Sequence, residues 1–352
     1  MMIYKPNYSA AEQEAYKLLI DDNIRKLPVK VKKIAKKFPD LQIKSYSWYA
    51  KNWDLTIKDV CELVNSDEGC CWYLKSQKKY LILYNDLVEH RGRIRWTIAH
   101  ELGHYLLKHN EKINKPIISR NSLSEEEYEV FEKEANCFAR TLLAPPPVIT
   151  KFESIDAIGI TQLCNISFEA AVNIFSFLQN GKQMGVSYQK HSSITKMFSG
   201  FIFNQKNKHY CFNCQSEFVC KKPDYCPICG KNELRYPNKF SGVEVSMIYT
   251  KIELNEVSKP HCCPRCENEE LAEGGYCQVC GSYVINKCSG YYEGEYDQNS
   301  QFNYKPNWHE LDDKCDTLLE GVARFCHKCG STSTYSEVGH LVNWVKEKGG
   351  ET

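Results

Sequence analysis

Two histidines and one glutamate fall within five consecutive residues of this chain, in the spacing HExxH. His100 and His104 are four residues apart, so on an α-helix their side chains lie on one face and can bind the same zinc ion. Glu101 would then lie beside the metal, where a carboxylate can accept a proton from water. This pattern predicts a metal site with hydrolytic chemistry.

The residues around the pattern favour a helix. Ile98, Leu102 and Leu106 recur at helical spacing, and no proline occurs between Arg91 and Lys115. The alternative interpretation is a buried amphipathic helix that carries two histidines without a metal. Because five-residue patterns also arise by chance, a second part of the site must be found elsewhere in the chain.

A zinc peptidase site needs a third protein ligand and one open position for water. The segment Glu125 to Leu143, EEEYEVFEKEANCFARTLL, has an apolar stripe at helical spacing. It follows Ser124, a residue type favoured at helix N-caps, and it stops before Pro145. Glu132 and Asn136 lie one turn apart beside the stripe, so this second helix can supply a carboxylate.

Together the two helices resemble the ImmA/IrrE-type zinc metallopeptidase family, whose pattern joins TxAHELGHxxLxH to a later ExEANxFAxxLLxP. Thr97 to His109 and Glu132 to Pro145 carry the two halves. The resemblance implies that Glu132, the first residue of ExxxN, is the third zinc ligand. It also implies that Asn136 orients a ligating histidine from outside the metal shell. Glu134 is the alternative ligand, but two residues along a helix turn it about 200° away from Glu132.

The resemblance implies a function as well: a cytoplasmic zinc metalloendopeptidase in which Glu101 is the general base. Its substrate would be a repressor-like regulatory protein, in particular a helix-turn-helix transcriptional regulator. A donor for the oxyanion is not identified, because Tyr105 and Tyr128 are near the site in sequence only. His109 lies five residues after His104, so we expect it to point off the zinc face into solvent.

Composition adds limits. The 352 residues carry 45 basic and 44 acidic side chains, a net charge of +1, so no global charge favours nucleic acid or an anionic membrane. The first residues lack the apolar core of a signal peptide, and no run of about 18 apolar residues follows. We therefore expect a soluble, cytoplasmic protein without a membrane partner. The alternative function is a non-catalytic, zinc-dependent regulatory or nucleic-acid-binding protein.

Fourteen of the nineteen cysteines lie between Cys211 and Cys329 and form an internal repeat. The signatures CPICGK, CQVCGS and CHKCGS begin at Cys226, Cys277 and Cys326, at intervals of 51 and 49 residues. Two CxxC pairs about twelve residues apart are typical of zinc ribbons, in which four thiolates close a tetrahedral shell. Disulfides are the alternative, but such pairs in a chain without a leader favour metal.

The repeat predicts three ligand sets. The first two are complete, although Cys262 could replace Cys263, and the third has three cysteines in register. Cys288 is the preferred fourth ligand of the third set, followed by His309 or Asp312. The predicted ligands are Cys211, Cys214, Cys226 and Cys229; Cys263, Cys266, Cys277 and Cys280; and Cys288, Cys315, Cys326 and Cys329. The cofactors expected are therefore one catalytic and two to three structural Zn²⁺ ions.

The predicted fold is α+β: a minimal zincin-like metallopeptidase domain followed by zinc-ribbon domains built from β-knuckles. We expect strands at 41–46, 71–75 and 80–84. The helical extension at about 152–180 has a pattern compatible with a helix-turn-helix but no basic residue between Phe152 and Gly181, so nucleic acid is only weakly supported. The predicted domains are the peptidase at 1–180, a linker at 181–208, and ribbons at 209–258, 259–285 and 286–345.

Overall fold

The computed structural model describes residues 5–118, 124–188, 192–235, 246–256, 258–293, 308–310 and 315–349. The chain divides into two compact units, Met1–Phe203 and Asn204–Thr352. Helices and small sheets are mixed, which confirms the predicted α+β class. Within the described residues no single helix is long and apolar enough to span a membrane; one pair of helices, bent by 119°, reaches that length and composition only together.

A three-stranded sheet lies at the centre of the first unit. Its strands are β1 (Leu41–Ser45), β2 (Gly69–Leu74) and β3 (Lys79–Tyr84), in the order β1-β3-β2. All three lie where strands are predicted: β1 runs parallel to β3, whereas β2 and β3 pair antiparallel. Side chains of β3 alternate between two clusters, because successive strand residues point to opposite faces.

Twelve helices begin within the described part of this unit. They are α1 (Tyr8–Asp21), α2 (Val31–Ala35), α3 (Tyr46–Trp53), α4 (Ile57–Val64), α5 (Arg91–Leu106), α6 (His109–Lys112), α7 (Glu125–Leu143), α8 (Pro146–Ile149), α9 (Ala157–Cys164), α10 (Phe168–Gln183), α11 (Ser192–Met197) and α12 (Ser199–Lys206). α5 and α7 pack on each other, and α5 also packs on β2 and β3. The two helices that carry the predicted zinc ligands therefore face each other beside the sheet.

Local sequence explains the positions of these two helices. Ser124 and Glu127 form a capping box at the start of α7, which pairs two backbone N–H groups that a helix otherwise leaves free. Gly103 lies where α5 meets α7: a Cβ atom there would come 3.0 Å from the Phe138 ring and 3.3 Å from Ala135. Glycine at this position therefore permits the close approach of the two helices.

The predicted linker at 181–208 is helical over α11 and α12. Ile194, Phe198 and Ile202 recur every four residues and are buried in the main core of the first unit. This part of the segment therefore belongs to a core. The surrounding glycine, serine and lysine residues dilute the apolar stripe, which is why composition indicated a linker.

The second unit has little regular structure. Its strands are β4 (Lys208–Cys211), β5 (Glu217–Val219), β6 (Leu234–Arg235), β7 (Tyr291–Glu293) and β8 (Trp308–Glu310), and its helices are α13 (Thr334–Glu337) and α14 (Trp344–Glu347). β4 lies between β5 and β6, and β7 pairs with β8. Cysteines account for much of each small buried cluster here. Metal ligation, when present, would supply folding free energy that so small an apolar core cannot.

Candidate metal centres

The structure brings His100 and His104 of α5 together with Glu132 of α7. The two Nε2 atoms are 3.0 Å apart, and they lie 3.3 and 3.4 Å from the two carboxylate oxygens of Glu132. A tetrahedral zinc ion with bonds of about 2.0–2.1 Å separates its ligand atoms by about 3.3 Å. Two imidazoles and a carboxylate are also a common donor set for catalytic zinc, so these residues fit the metal.

The outer nitrogen of His100 is held by α7. Its Nδ1 lies 3.0 Å from Oδ1 of Asn136, one turn after Glu132. When Nδ1 donates its proton to this amide oxygen, the lone pair of the imidazole is on Nε2, on the side of Glu132. Asn136 thus lies where the family resemblance implied, outside the ligand set and in contact with one ligand.

The outer nitrogen of His104 is held by a buried chain of polar side chains. Its Nδ1 lies 3.0 Å from Nδ1 of His109, whose Nε2 lies 2.9 Å from Oε2 of Glu134. The other oxygen of Glu134 accepts the backbone N–H of Asn7 over 2.7 Å. The imidazole of His109 and the carboxylate of Glu134 are both buried, so this chain fixes the orientation of His104 from inside the protein.

The prediction that His109 is exposed to solvent is wrong. α5 ends at Leu106, and Lys108 adopts a left-handed conformation with φ of 57° before α6 begins. This reversal carries His109 back beneath His104 instead of onward along the helix. Glu134 lies away from the metal ligands, as its position in the helix predicted, and its partner is His109.

Glu101 is buried beside the three ligands but is not one of them. Burial raises the pKa of its carboxyl to about 7, although the charge of His100 and the backbone N–H of Cys71 act in the opposite direction. A carboxylate with a pKa near neutrality can both take and return a proton at physiological pH. These properties suit the role of general base predicted for Glu101.

The ligands themselves have opposed pKa shifts. Burial disfavours the charged form of His100, but the hydrogen bond to Glu132, the charges of Glu101 and Glu132 and the hydrogen bond to Asn136 together raise the pKa to about 9. Burial lowers the pKa of His104 to about 4. Burial alone would raise the pKa of Glu132, yet its hydrogen bonds to the two histidines hold it well below the ordinary value. The metal-free site therefore contains one imidazolium paired with one carboxylate.

Residues 65–173 match the family model of the IrrE N-terminal-like domain, Peptidase_M78. The match confirms the resemblance seen in the sequence and includes His100, Glu101, His104 and Glu132. Comparison with curated proteins gave no match. The IrrE N-terminal-like domain supports a peptidase in the first unit, and it covers about a third of the chain.

A cavity of about 520 Å³ in the first unit is lined by His100, His104 and Glu132. Residues of β2, α5 and α7 line it, including Gly69, Cys70 and Tyr128. Of the two tyrosines considered as oxyanion donors, Tyr128 lines this cavity. Tyr105 is buried elsewhere and donates its hydroxyl to Asp40 over 2.7 Å.

Twelve cysteines of the second unit form three clusters of four, each with all four sulfur atoms within 4.8 Å of one another. Two Sγ···Sγ pairs in each cluster are separated by 3.5 to 3.8 Å. Tetrahedral Zn–S bonds of about 2.3 Å separate the sulfurs by about 3.8 Å, whereas a disulfide requires about 2.05 Å. Four sulfur atoms at these mutual distances fit one metal ion better than two disulfides.

The clusters contain the twelve predicted cysteines. Cys288 completes the third one at 3.5 Å from Cys329, and it is separated from Cys315 by the β7–β8 hairpin. Cys263 belongs to the second cluster and Cys262 does not. Of the alternatives for the third set, Asp312 lies outside the described residues, as does the side chain of His309.

Proposed function

We propose that this chain is a zinc-dependent metalloendopeptidase that cleaves a regulatory protein. The observation that carries the proposal is the geometry of His100, His104 and Glu132 around one point, with buried Glu101 beside it. The match to the IrrE N-terminal-like domain supports the same class. CxxC pairs that ligate metal as thiolates suit a reducing compartment, and we propose that this compartment is the cytoplasm.

Each residue of the site would have a separate role in the reaction. His100, His104 and Glu132 would hold the zinc ion, which when bound activates water and polarises the scissile carbonyl. Glu101 accepts a proton from the attacking water and delivers it to the leaving amine. Asn136 and His109 keep the two imidazoles oriented, each through its Nδ1 atom.

For the substrate we propose a repressor-like, helix-turn-helix transcriptional regulator, on the family resemblance. β2 lies at an edge of the sheet and lines the cavity, so an extended peptide has a strand edge beside the site. Part of that edge is covered: Tyr73 donates its N–H to Pro116 over 2.8 Å, and Cys71 accepts from the side chain of Asn110. At the end of β2 that lines the cavity, Gly69 donates its N–H to the side chain of Ser66 over 3.2 Å, and a substrate strand would have to displace this local bond.

The test compares the wild type with Glu101→Gln. Each is incubated with candidate regulators encoded by the same genome, with and without zinc, and fragments are identified by mass. A zinc-dependent fragment that the variant does not produce supports the proposal, provided that the variant keeps its metal. If no regulator is cut, and the protein instead retains DNA in a salt-sensitive manner, the non-catalytic alternative is favoured.

A further inference from the structure

Two of the three cysteine clusters are joined by a reciprocal contact between their second CxxC turns. The backbone N–H of Tyr225 donates to the carbonyl of His327 over 3.0 Å, and that of Phe325 donates to the carbonyl of Pro227 over 3.0 Å. In each case the preceding residue donates to the same carbonyl, over 2.9 and 2.8 Å. The two donors, Tyr225 and Phe325, are one hundred residues apart in the sequence, and so are the two acceptors, Pro227 and His327. Each turn therefore makes the same contact with the other.

The side chains repeat this reciprocity. A Cβ atom added to Gly230 would lie 2.8 Å from the ring of Phe325, and one added to Gly330 would lie 3.0 Å from the ring of Tyr225. Each aromatic residue immediately before a CxxC pair therefore covers the glycine that follows the other pair. The contact requires the pattern aromatic-CxxC-Gly on both sides, and both turns have it.

The CxxC turn that begins at Cys277 has the same pattern but makes no such contact with the described part of the chain. We call residues 276–281, Tyr276 to Gly281, the free knuckle. Tyr276 is 65% exposed and Val279 is 70% exposed, whereas the equivalent of Val279 in the first cluster, Ile228, is 2% exposed. Among the residues that the structure describes, nothing lies within 4 Å of a Cβ atom added to Gly281. Among the described residues, the N–H of Tyr276 and the carbonyl of Gln278 have no backbone partner.

The free knuckle is already folded for docking. Cys277 donates its N–H to Ser282 over 2.8 Å, and Gly281 donates to Cys277 over 2.8 Å. The two joined turns have the same pair of bonds, for example Cys326 to Ser331 over 2.7 Å and Gly330 to Cys326 over 2.9 Å. The three glycines also share a φ of 70 to 75°. A partner would therefore meet a preformed surface that needs little ordering.

We propose that the free knuckle binds the free knuckle of a second copy of this chain. When both sides of a contact use the same face, two copies of that face can make the contact with each other across a two-fold axis. Tyr276 of each copy would donate its N–H to the carbonyl of Gln278 of the other and lay its ring over the other Gly281. The corresponding faces of the first and third clusters are already occupied within their own chain, which leaves the free knuckle as the face for a second molecule.

Size and charge set the expected strength of this dimer. One pair of knuckles is much smaller than a standard interface of about 1,600 Å², so we expect association in the high micromolar range. Glu269, Glu270 and Glu273 are exposed shortly before the knuckle, and the two-fold axis brings two such segments towards each other. Added salt screens this repulsion and is expected to tighten the dimer.

The test is the mass of the full-length, zinc-loaded protein by sedimentation equilibrium, from about 5 to about 500 μM. We expect the wild type to pass from monomer towards dimer. Gly281→Asn tolerates the positive φ but fills the space that the second ring needs, and Tyr276→Ser removes the ring. Each variant is expected to raise the dissociation constant by about tenfold or more.

Ile248→Ala is the matched control, since Ile248 is 93% exposed and lies in the same unit outside the three CxxC turns. It should dimerise like the wild type. Zinc content and circular dichroism identify any variant that has failed to fold, and the second variant then decides. The proposal is overturned if the wild type stays monomeric over the whole range, or if folded Gly281→Asn dimerises as the wild type does.

Discussion

Replacing His109 by leucine is expected to weaken zinc binding at the His100, His104 and Glu132 site by about 10- to 100-fold, or about 1.4–2.8 kcal/mol. One arrangement of protons satisfies the buried chain when His104 uses Nε2 for the metal. Its Nδ1–H then donates to His109 over 3.0 Å, and His109 donates from Nε2 to Glu134 over 2.9 Å. Leucine removes the acceptor and the donor together, so His104 loses the contact that fixes its ring.

The same change also has a cost in folding. Oε2 of Glu134 loses its partner at a position that is buried, while Oε1 keeps the N–H of Asn7 over 2.7 Å. Leaving a buried polar group unpaired costs about 1–3 kcal/mol, and this variant leaves both Glu134 and His104 without the partner that His109 supplied, so it should melt at a lower temperature than the wild type.

The matched control is His109→Gln. A side-chain amide has one acceptor and one donor about as far apart as the two ring nitrogens, so it can accept from His104 and donate to Glu134. Its zinc affinity should stay close to that of the wild type. Asn136→Ala provides a parallel loss at His100, the other imidazole.

Cobalt(II) titration measures this site separately from the cysteine clusters, because thiolate ligands add a charge-transfer band that histidine and carboxylate ligands lack. The reasoning is refuted if folded His109→Leu binds the metal as tightly as the wild type. It is also refuted if the glutamine variant loses as much affinity as the leucine variant, since the contact would then not act through hydrogen bonding.

Three further predictions follow from the sites. Glu101→Gln should keep the full metal content and lower kcat by about 100- to 10,000-fold on the substrate identified, and an active variant would place the general base elsewhere. Burial would lower the pKa of His100, but the hydrogen bond to Glu132 acts in the opposite direction, and the pKa in the metal-free site is about 9. His100 is therefore mostly protonated below that pH. Zinc must displace this proton: at pH 8 we expect about one proton released per ion bound at this site, with affinity rising as pH increases towards 9 and levelling off above it. Calorimetry in buffers of different ionisation enthalpy counts the protons, and a count of zero at pH 8 contradicts the prediction. Cys288→Ser should remove one of the four metal sites and lower the melting temperature of the second unit, which metal analysis and calorimetry can check; four ions retained per chain would show that Cys288 is not a ligand.

The features of the candidate metal sites that lie within one helix or one turn could be predicted from the sequence. His100 and His104 share a helix, so their spacing alone places both imidazoles on one face. Glu132 and Asn136 are likewise one turn apart on α7, and the structure brings both beside α5. The regular spacing of the CxxC pairs similarly indicated which cysteines meet, since five of the six ligand pairs lie in one tight turn and only Cys288 and Cys315 are far apart in the sequence.

Features that depend on a break in regular structure could not be predicted in the same way. The prediction that His109 is exposed assumed that α5 continues through Lys108. Lys108 is instead left-handed, and the chain turns there so that His109 points inward to His104. The role of Glu134 was missed for the same reason, because its partner was assigned to the surface. The only local signal for the burial of His109 is a histidine shortly after the end of a helix, and this signal does not specify the direction in which the chain continues.

By itself, the sequence determined the chemistry of this protein: which side chains can hold a metal, which carboxylate lies next to it, and which cysteines share a turn. These features arise from residues within one helix or one turn, where backbone geometry fixes the spacing. Only the tertiary structure decided that Glu132 reaches the histidines of α5, that His109 and Glu134 support them from the interior, and that two cysteine clusters dock while Tyr276 to Gly281 stays uncovered. Such contacts join residues far apart in the chain, and packing rather than local periodicity selects them.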